Sequence, residues 1–176
     1  NYPGHTGRDF LLRNMKIAIV GVGLIGGSLA LALKENKLCA EVIGVDQNRK
    51  NAETALKMGL TDRICTLDGA LDEAGLIVLT VPVNAIPILA VKLLNRIKPT
   101  QIVIDMGSTK LELCETIAMH PNRARFVATH PMWGTENSGP GAAERNAFKG
   151  RKDGICNAGQ SDKDAIQLVE NLYRTM

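Results

Sequence analysis

A buried strand, a glycine turn and the start of a helix follow one another without interruption at residues 16–30. Within this stretch, Gly21, Gly23 and Gly26 have the spacing G-x-G-x-x-G. The first glycine of such a motif permits the tight turn, the second lets backbone approach a phosphate, and the third lets the helix pack on the strand. The stretch therefore predicts a β-α-β unit with a dinucleotide site at its turn, a structural turn being the alternative.

Asp46 indicates which dinucleotide this site takes. It lies 20 residues after Gly26, at the end of the next apolar run. A carboxylate at this point accepts hydrogen bonds from the ribose hydroxyls of the adenosine and repels the 2′-phosphate of NADP. Arg49 and Lys50 follow and leave a phosphate contact open, although both also fit a solvated helix surface. NAD is therefore the expected cofactor.

The rest of the chain is typical of one α/β domain. Its 176 residues suffice for a single packed core, and 45% of them are hydrophobic while only 3% are aromatic. Such a core is built mainly from Val, Ile, Leu and Ala, as in a sheet covered on both faces.

Predicted strands and helices alternate along this domain. Further strands are predicted at 41–45, 63–66, 76–81, 101–105, 125–129 and 154–157, and helices at 24–34, 48–58, 68–74, 84–97, 110–120, 142–148 and 162–173. Because parallel strands need crossovers that cover both faces, we expect a doubly wound, mostly parallel Rossmann-type sheet.

We expect this single domain to occupy residues 15–176 and to be truncated at its C-terminal end, where the chain stops directly after an amphipathic helix. Residues 1–14 are expected to be an N-terminal extension, with Phe10, Leu11 and Leu12 packing on the fold.

Several other classes of protein are disfavoured. The net charge of +3 comes from scattered side chains with few aromatic rings, so nucleic-acid binding has little support. No apolar run approaches the ~20 residues that span a bilayer, so we expect no membrane association and a cytoplasmic protein. The four cysteines are far apart, without the paired spacing of a zinc site, so no metal is expected.

Backbone and side chains suited to chemistry follow two of the predicted strands. Val81 and Pro82 leave the sheet where a nicotinamide ribose could lie against the backbone, although a strand terminator explains the proline equally well. Farther on, Thr109 and Glu112 fit a capping box. This leaves the Ser108 hydroxyl for a substrate or the nicotinamide, or for solvent as an ordinary loop serine.

His130 ends the sixth predicted strand and precedes Pro131, which restricts the histidine backbone to extended geometry. A neutral imidazole there can accept the proton of an alcohol as a hydride leaves the same carbon. A structural histidine is the alternative. The expected position beside the cofactor favours a catalytic base.

Several motifs together resemble the prephenate dehydrogenase family. They are Gly-Val-Gly-Leu-Ile-Gly-Gly-Ser-Leu-Ala at 21–30, Asp46, Val81-Pro82, Asp-Met-Gly-Ser-Thr-Lys at 105–110, and His-Pro-Met-Trp-Gly-Thr-Glu at 130–136 with Ser138-Gly139. The histidine element is the specific part, because most other Rossmann dehydrogenases have a lysine or a different histidine motif here. The resemblance extends from about residue 16 to the last residue.

The resemblance implies NAD-dependent oxidative decarboxylation of prephenate to 4-hydroxyphenylpyruvate, in tyrosine biosynthesis. By this likeness, His130 accepts the hydrogen bond and then the proton of the ring 4-hydroxyl, and Ser108 orients both groups. Thr135 and Glu136 line the substrate side. The implied full-length protein is a homodimer. The expected cofactor residues are Gly21, Gly23, Leu24, Ile25, Gly26, Asp46, Val81 and Pro82.

The chain departs from the family at its C-terminal end. The resemblance implies that family members continue with a final strand and an all-helical domain that forms the dimer and binds the substrate carboxylates. We expect that domain to be missing from this chain. The nearby cations are Lys110, Arg145, Lys149, Arg151 and Lys152, and no motif assigns any of them to the substrate. We therefore expect this chain to bind NAD but to turn over prephenate weakly or not at all.

Three alternatives stay open. An arogenate dehydrogenase acts on a substrate with an amino group where prephenate has a keto group. Related hydroxyacid dehydrogenases and pyrroline-carboxylate reductases share the glycine turn and the Val-Pro strand end, but not the His130 motif. A non-catalytic NAD-binding module would need neither Ser108 nor His130.

Overall fold

A computed structural model describes residues 11–176, which form a seven-stranded sheet in the order β3-β2-β1-β4-β5-β6-β7. The strands are β1 Lys16–Val20, β2 Glu41–Val45, β3 Arg63–Ile64, β4 Leu76–Leu79, β5 Ile102–Asp105, β6 Phe126–Pro131 and β7 Asp153–Cys156. Strands β1 to β6 pair in parallel, and β7 is antiparallel to β6. The predicted mostly parallel sheet is thus confirmed.

Helices cover both faces of this sheet. They are α1 Leu24–Glu35, α2 Arg49–Lys57, α3 Leu67–Glu73, α4 Ile86–Leu94, α5 Leu111–Ile117 and α6 Lys163–Thr175. Leu29 of α1 and Val169 of α6 belong to one buried cluster, whereas Leu93 of α4 and Ile117 of α5 belong to another. The two clusters lie on opposite faces because successive strand residues alternate between them. The predicted doubly wound Rossmann-type fold is confirmed.

The chain reverses its direction across the sheet between β1 and β4. It runs outward from β1 through β2 to β3, and then returns to the other side of β1 as β4. Val20 lies opposite Leu79, so the two strands end at the same level. Their helical connections leave in opposite directions, which opens the crevice where such sheets bind ligands.

Several predicted elements differ in the structure. Strand β3 ends at Ile64 instead of residue 66, α4 covers Ile86–Leu94 instead of 84–97, and α5 covers Leu111–Ile117 instead of 110–120. The helix predicted at 142–148 is wrong: a 3-10 turn at Pro140–Ala142 is followed by turns. Ala143 has an extended ψ of 133°, and Asn146 has a left-handed φ of 57°, so consecutive helical dihedrals do not occur. Strand β4 ends at Leu79 instead of Val81, since Pro82 has no N–H to donate and a 3-10 turn begins at Val83.

The N-terminal prediction is partly met. Leu12 is buried and belongs to the core cluster that contains α1, whereas Leu11 is 58% exposed and does not pack as expected. Phe10 lies outside the described residues. Within residues 11–176, no helix is both long enough and apolar enough to cross a bilayer.

The first helix lies unusually close to the sheet at Gly26. A Cβ atom on this residue would lie 2.1 Å from the Gly21 carbonyl oxygen and 2.9 Å from Ile19 Cγ2. At Gly23, which immediately precedes α1, a Cβ atom would have no neighbour within 4 Å. The motif therefore contains one glycine that packing requires and one that faces open space.

This difference gives a matched pair of variants. We expect Gly26→Ala to lower the free energy of unfolding by about 2 to 3 kcal/mol or more, because backbone must move to admit the methyl group. Gly23→Ala is expected to cost less than about 1 kcal/mol, the usual effect of alanine at a helix N-cap. Urea unfolding measures both changes. Equal losses in the two variants would contradict this packing role.

Candidate active site

A cleft of about 620 Å³ opens at the carboxyl ends of β1 and β4. Six of the eight predicted cofactor residues line it: Gly21, Gly23, Leu24, Asp46, Val81 and Pro82. The other two lie behind its wall. Gly26 packs on the glycine turn, and Ile25 packs against the core. The crevice expected from the topology therefore lies at the glycine motif.

Thr80 holds the glycine turn in place. Its hydroxyl donates to the Gly21 carbonyl at 2.6 Å and lies 3.1 Å from that of Val20. Gly21 has a φ of +99°, and a Cβ atom there would lie 2.8 Å from the Thr80 carbonyl oxygen. The open space beside Gly23 is where a phosphate has to approach the backbone. The turn thus fits a pyrophosphate, and Thr80 is a supporting residue that the motif alone does not reveal.

Asp46 connects this turn to helix α2. One carboxylate oxygen accepts the Val22 N–H at 2.9 Å, and the other accepts the Asn48 N–H at 2.8 Å. Each oxygen retains a lone pair for a ribose hydroxyl. Arg49 instead pairs with Glu53 at 2.7 Å. Among the described residues that line the cleft there is no lysine or arginine, an arrangement that suits an unphosphorylated ribose.

His130 lies at the carboxyl end of β6, where it pairs with Gly154 of β7. It lines a second cavity of about 510 Å³ together with Trp133, Thr135, Glu144 and Arg151. Sequence reasoning left Arg151 without a role. Its place in the same cavity as the histidine follows from the β6–β7 pairing, which joins residues too far apart in sequence for a local motif to show.

The loop after His130 connects the two cavities. Thr135 lines the histidine cavity, whereas Asn137, Ser138 and Gly139 line the nucleotide cleft. Between them, Glu136 lines a third, open cavity with Asn137 and Ser138. One short segment thus borders both the predicted cofactor site and the predicted base.

Ser108 lies outside both cavities. It is exposed at the carboxyl end of β5, and it lines neither the nucleotide cleft nor the histidine cavity. The capping box predicted from Thr109 is wrong. Helix α5 begins at Leu111, after Lys110, without a side-chain cap.

A buried ion pair, instead of a capping box, holds the loop between β5 and α5. The Asp105 carboxylate is fully buried and accepts hydrogen bonds from the Lys110 ammonium, from the Gly107 N–H at 2.9 Å and from the Thr129 N–H at 3.3 Å. Lys110 also donates to the Gly107 carbonyl at 2.6 Å. Burial raises the pKa of Asp105, and the charge of Lys110 opposes that rise. The pair anchors both ends of the segment that carries Ser108.

The same network reaches the last helix. Thr129 of β6 donates its hydroxyl proton to the Asp105 carbonyl, and the Tyr173 hydroxyl of α6 lies 2.7 Å from the Thr129 hydroxyl oxygen. Burial raises the pKa of Tyr173 well above its usual range. This network therefore links the end of β5, which precedes Ser108, to the end of β6, which carries His130.

We expect Lys110→Met to lower the free energy of unfolding by about 3 to 5 kcal/mol near neutral pH, because the Asp105 carboxylate stays buried without its counter-charge. Removal of the ammonium raises the pKa of Asp105 further. A buried carboxyl whose pKa is raised in the folded state destabilises the fold only while it is ionised. The loss of unfolding free energy should therefore shrink as the pH falls through the pKa of Asp105 in the folded variant.

Urea unfolding of Lys110→Met at a series of pH values checks this expectation, with the exposed Lys152→Met as the control. A deficit that does not change with pH would show that the charge of Asp105 is not its cause. No deficit at all would contradict the structural role of the pair.

Comparison with known proteins identifies the family of this chain. Residues 29–176 match the model of the prephenate dehydrogenase nucleotide-binding domain. Prephenate dehydrogenase of Bacillus subtilis is 32% identical over 161 residues, which cover 90% of this chain and 43% of that protein. The chain thus spans less than half the length of this relative.

Two solved structures are also similar. Prephenate dehydrogenase of Aquifex aeolicus, in complex with hydroxyphenyl propionate and NAD+, has a TM-score of 0.81 at 28% identity, over 92% of this chain and 57% of that one. Synechocystis arogenate dehydrogenase has a TM-score of 0.80 at 30% identity, over 90% of this chain and 55% of that one. Since the family model covers well over half of the sequence, this chain belongs to the prephenate dehydrogenase family, as its nucleotide-binding domain.

Proposed function

We propose that this domain binds NAD and, in the protein to which it belongs, catalyses the oxidative decarboxylation of prephenate to 4-hydroxyphenylpyruvate. The observation that carries the proposal is the segment from His130 to Gly139. It borders the nucleotide cleft at one end and the cavity of the predicted base at the other.

The nucleotide cleft supports NAD as the cofactor. Asp46 presents a carboxylate at the end of β2, and the described lining offers no cation for a 2′-phosphate. Gly21, Gly23 and Leu24 border the place for the pyrophosphate at the start of α1, while Val81 and Pro82 border the place for the nicotinamide ribose. NAD, when bound, supplies the acceptor for the hydride that leaves the substrate ring.

His130 is the proposed base. In its neutral form the imidazole accepts the proton of the ring 4-hydroxyl while the hydride departs from the same carbon. The ring then loses one carboxylate as carbon dioxide, and the electron pair of that bond makes the ring aromatic. The resulting phenolate oxygen takes the proton back from His130. The gain of aromaticity makes the reaction effectively irreversible. Thr135 lies in the same cavity and Glu136 in the adjoining one, which supports their proposed place on the substrate side.

Ser108 is the proposed partner of His130 in orienting the 4-hydroxyl. Its exposed hydroxyl can serve this role when substrate bridges the ends of β5 and β6. The buried Asp105 supports it, since this carboxylate binds backbone both in the Ser108 segment and in β6, next to His130.

Arogenate is the second candidate substrate. The relatives named for prephenate and for arogenate are 32% and 30% identical to this chain, a difference too small to favour either. The two substrates have the same ring hydroxyl, so His130 would act in the same way on both. Homodimer formation by the whole protein belongs to this proposal as well.

We expect His130→Asn to slow NADH formation by about 100-fold or more, because the proton of the 4-hydroxyl loses its acceptor. The affinity for NAD should stay within about twofold, since His130 lies outside the nucleotide cleft. Single-turnover NADH formation from prephenate and from arogenate, in the longest natural form of the protein, measures the rate. A variant that binds NAD and keeps its full rate would remove His130 from the mechanism.

A further inference from the structure

We infer that Arg151 binds a carboxylate of the substrate, in the cavity that it shares with His130. The inference rests on the proposed function and assigns a role to a side chain that no motif singles out. It depends on where the β6–β7 pairing places Arg151, on the state of its charge, and on the shape of the substrate.

The backbone fixes Arg151 beside the histidine cavity. Beyond the last strand pair, Pro131 and Asp153, the Met132 N–H still donates to the Lys152 carbonyl at 2.9 Å. The next residue on this side is Arg151, whose own N–H donates to the Phe148 carbonyl at 3.1 Å. Two backbone hydrogen bonds therefore hold the segment that places Arg151, an exposed side chain, at the edge of the cavity.

Charge distinguishes Arg151 from its neighbours. Within the described residues, it is the one lysine or arginine that lines this cavity, and its guanidinium has no ion pair. Of the other nearby cations, Lys110 is paired with Asp105 and Arg145 with Glu35. Lys149 and Lys152 do not line this cavity. Glu144 lines the same cavity without forming a salt bridge to Arg151. An unpaired guanidinium in a cavity is suited to bind a carboxylate through two parallel hydrogen bonds.

The carboxylates of the proposed substrates lie far from the hydroxyl that His130 would bind. Prephenate and arogenate carry two carboxylates on the far side of the ring from the 4-hydroxyl, one on the ring carbon and one on its side chain. A ring that presents its hydroxyl to His130 therefore extends its carboxylates toward another wall of the cavity. Trp133 supplies an apolar wall for the ring, and its own ring lies 5.6 Å from that of Phe148 at an interplanar angle of 65°.

Two small phenols test the inference in this chain saturated with NAD+. One is 3-(4-hydroxyphenyl)propionate, which has a carboxylate opposite its hydroxyl, and the other is 4-ethylphenol, which has none. The single tryptophan of the chain, Trp133, lines the cavity, so its fluorescence reports binding of both compounds.

We expect Arg151→Gln to weaken binding of the propionate by about 10-fold or more, the usual effect of losing a charge-assisted hydrogen bond. Binding of 4-ethylphenol should change by less than about twofold. Arg151→Lys should recover part of the propionate affinity, because it restores the charge without the planar fork. Arg145→Gln is the matched control, since it removes a nearby arginine that is paired with Glu35, and it should leave both affinities unchanged.

Two results would overturn the role of Arg151 alone. One is unchanged propionate affinity in Arg151→Gln, and the other is an equal loss for both compounds, which would show that Arg151 supports the cavity instead of the carboxylate. If neither compound binds the unmodified chain while NAD+ does, the histidine cavity is not the substrate site. That result would overturn the proposed site together with this inference.

Discussion

The close approach of helix α1 to the end of β1 shapes the glycine turn and the nucleotide cleft beside it. Gly26 lets the helix start lie against the Gly21 carbonyl, and Thr80 binds the same carbonyl from β4. Because these contacts involve backbone atoms, no larger side chain substitutes for the glycine without movement of the sheet or the helix. The open space beside Gly23 and the position of Asp46 both follow from this turn.

A second set of interactions organises the other half of the site. Asp105 is buried at the end of β5 and binds both Lys110 and the backbone of β6, while Thr129 extends the network to Tyr173. Burial of charge is costly, so the ion pair is weak evidence for stability. Its evident effect is positional, because it fixes the ends of the strands that carry Ser108 and His130.

Local patterns predicted much of this molecule. The glycine turn, the end of β2 at Asp46 and the helix α2 depend on residues near one another in sequence. All three lie where the sequence predicts them, α2 to within one residue at each end. The predictions failed where distant contacts decide. Thr109 was expected to cap α5, but the loop is closed by Lys110 reaching back to Asp105, a carboxylate buried by neighbouring strands.

The site residues likewise depend partly on local sequence and partly on contacts between distant residues. The pairing of His130 with Gly154, and hence the position of Arg151, depends on the antiparallel strand β7, about 24 residues farther along the chain. No local motif contains that pairing. No local motif places Ser138 and Gly139 either. They line the nucleotide cleft because the loop after β6 folds back toward it.

The nucleotide cleft and the histidine cavity are expected to form one site when ligands are bound. A crystal structure of this chain with NAD+ and 3-(4-hydroxyphenyl)propionate would show whether they do. We expect the phenol to lie between the nicotinamide ring and His130, with its hydroxyl donating to the imidazole. A nicotinamide ring directed away from β6, or an imidazole turned into the core beneath the sheet edge, would contradict it.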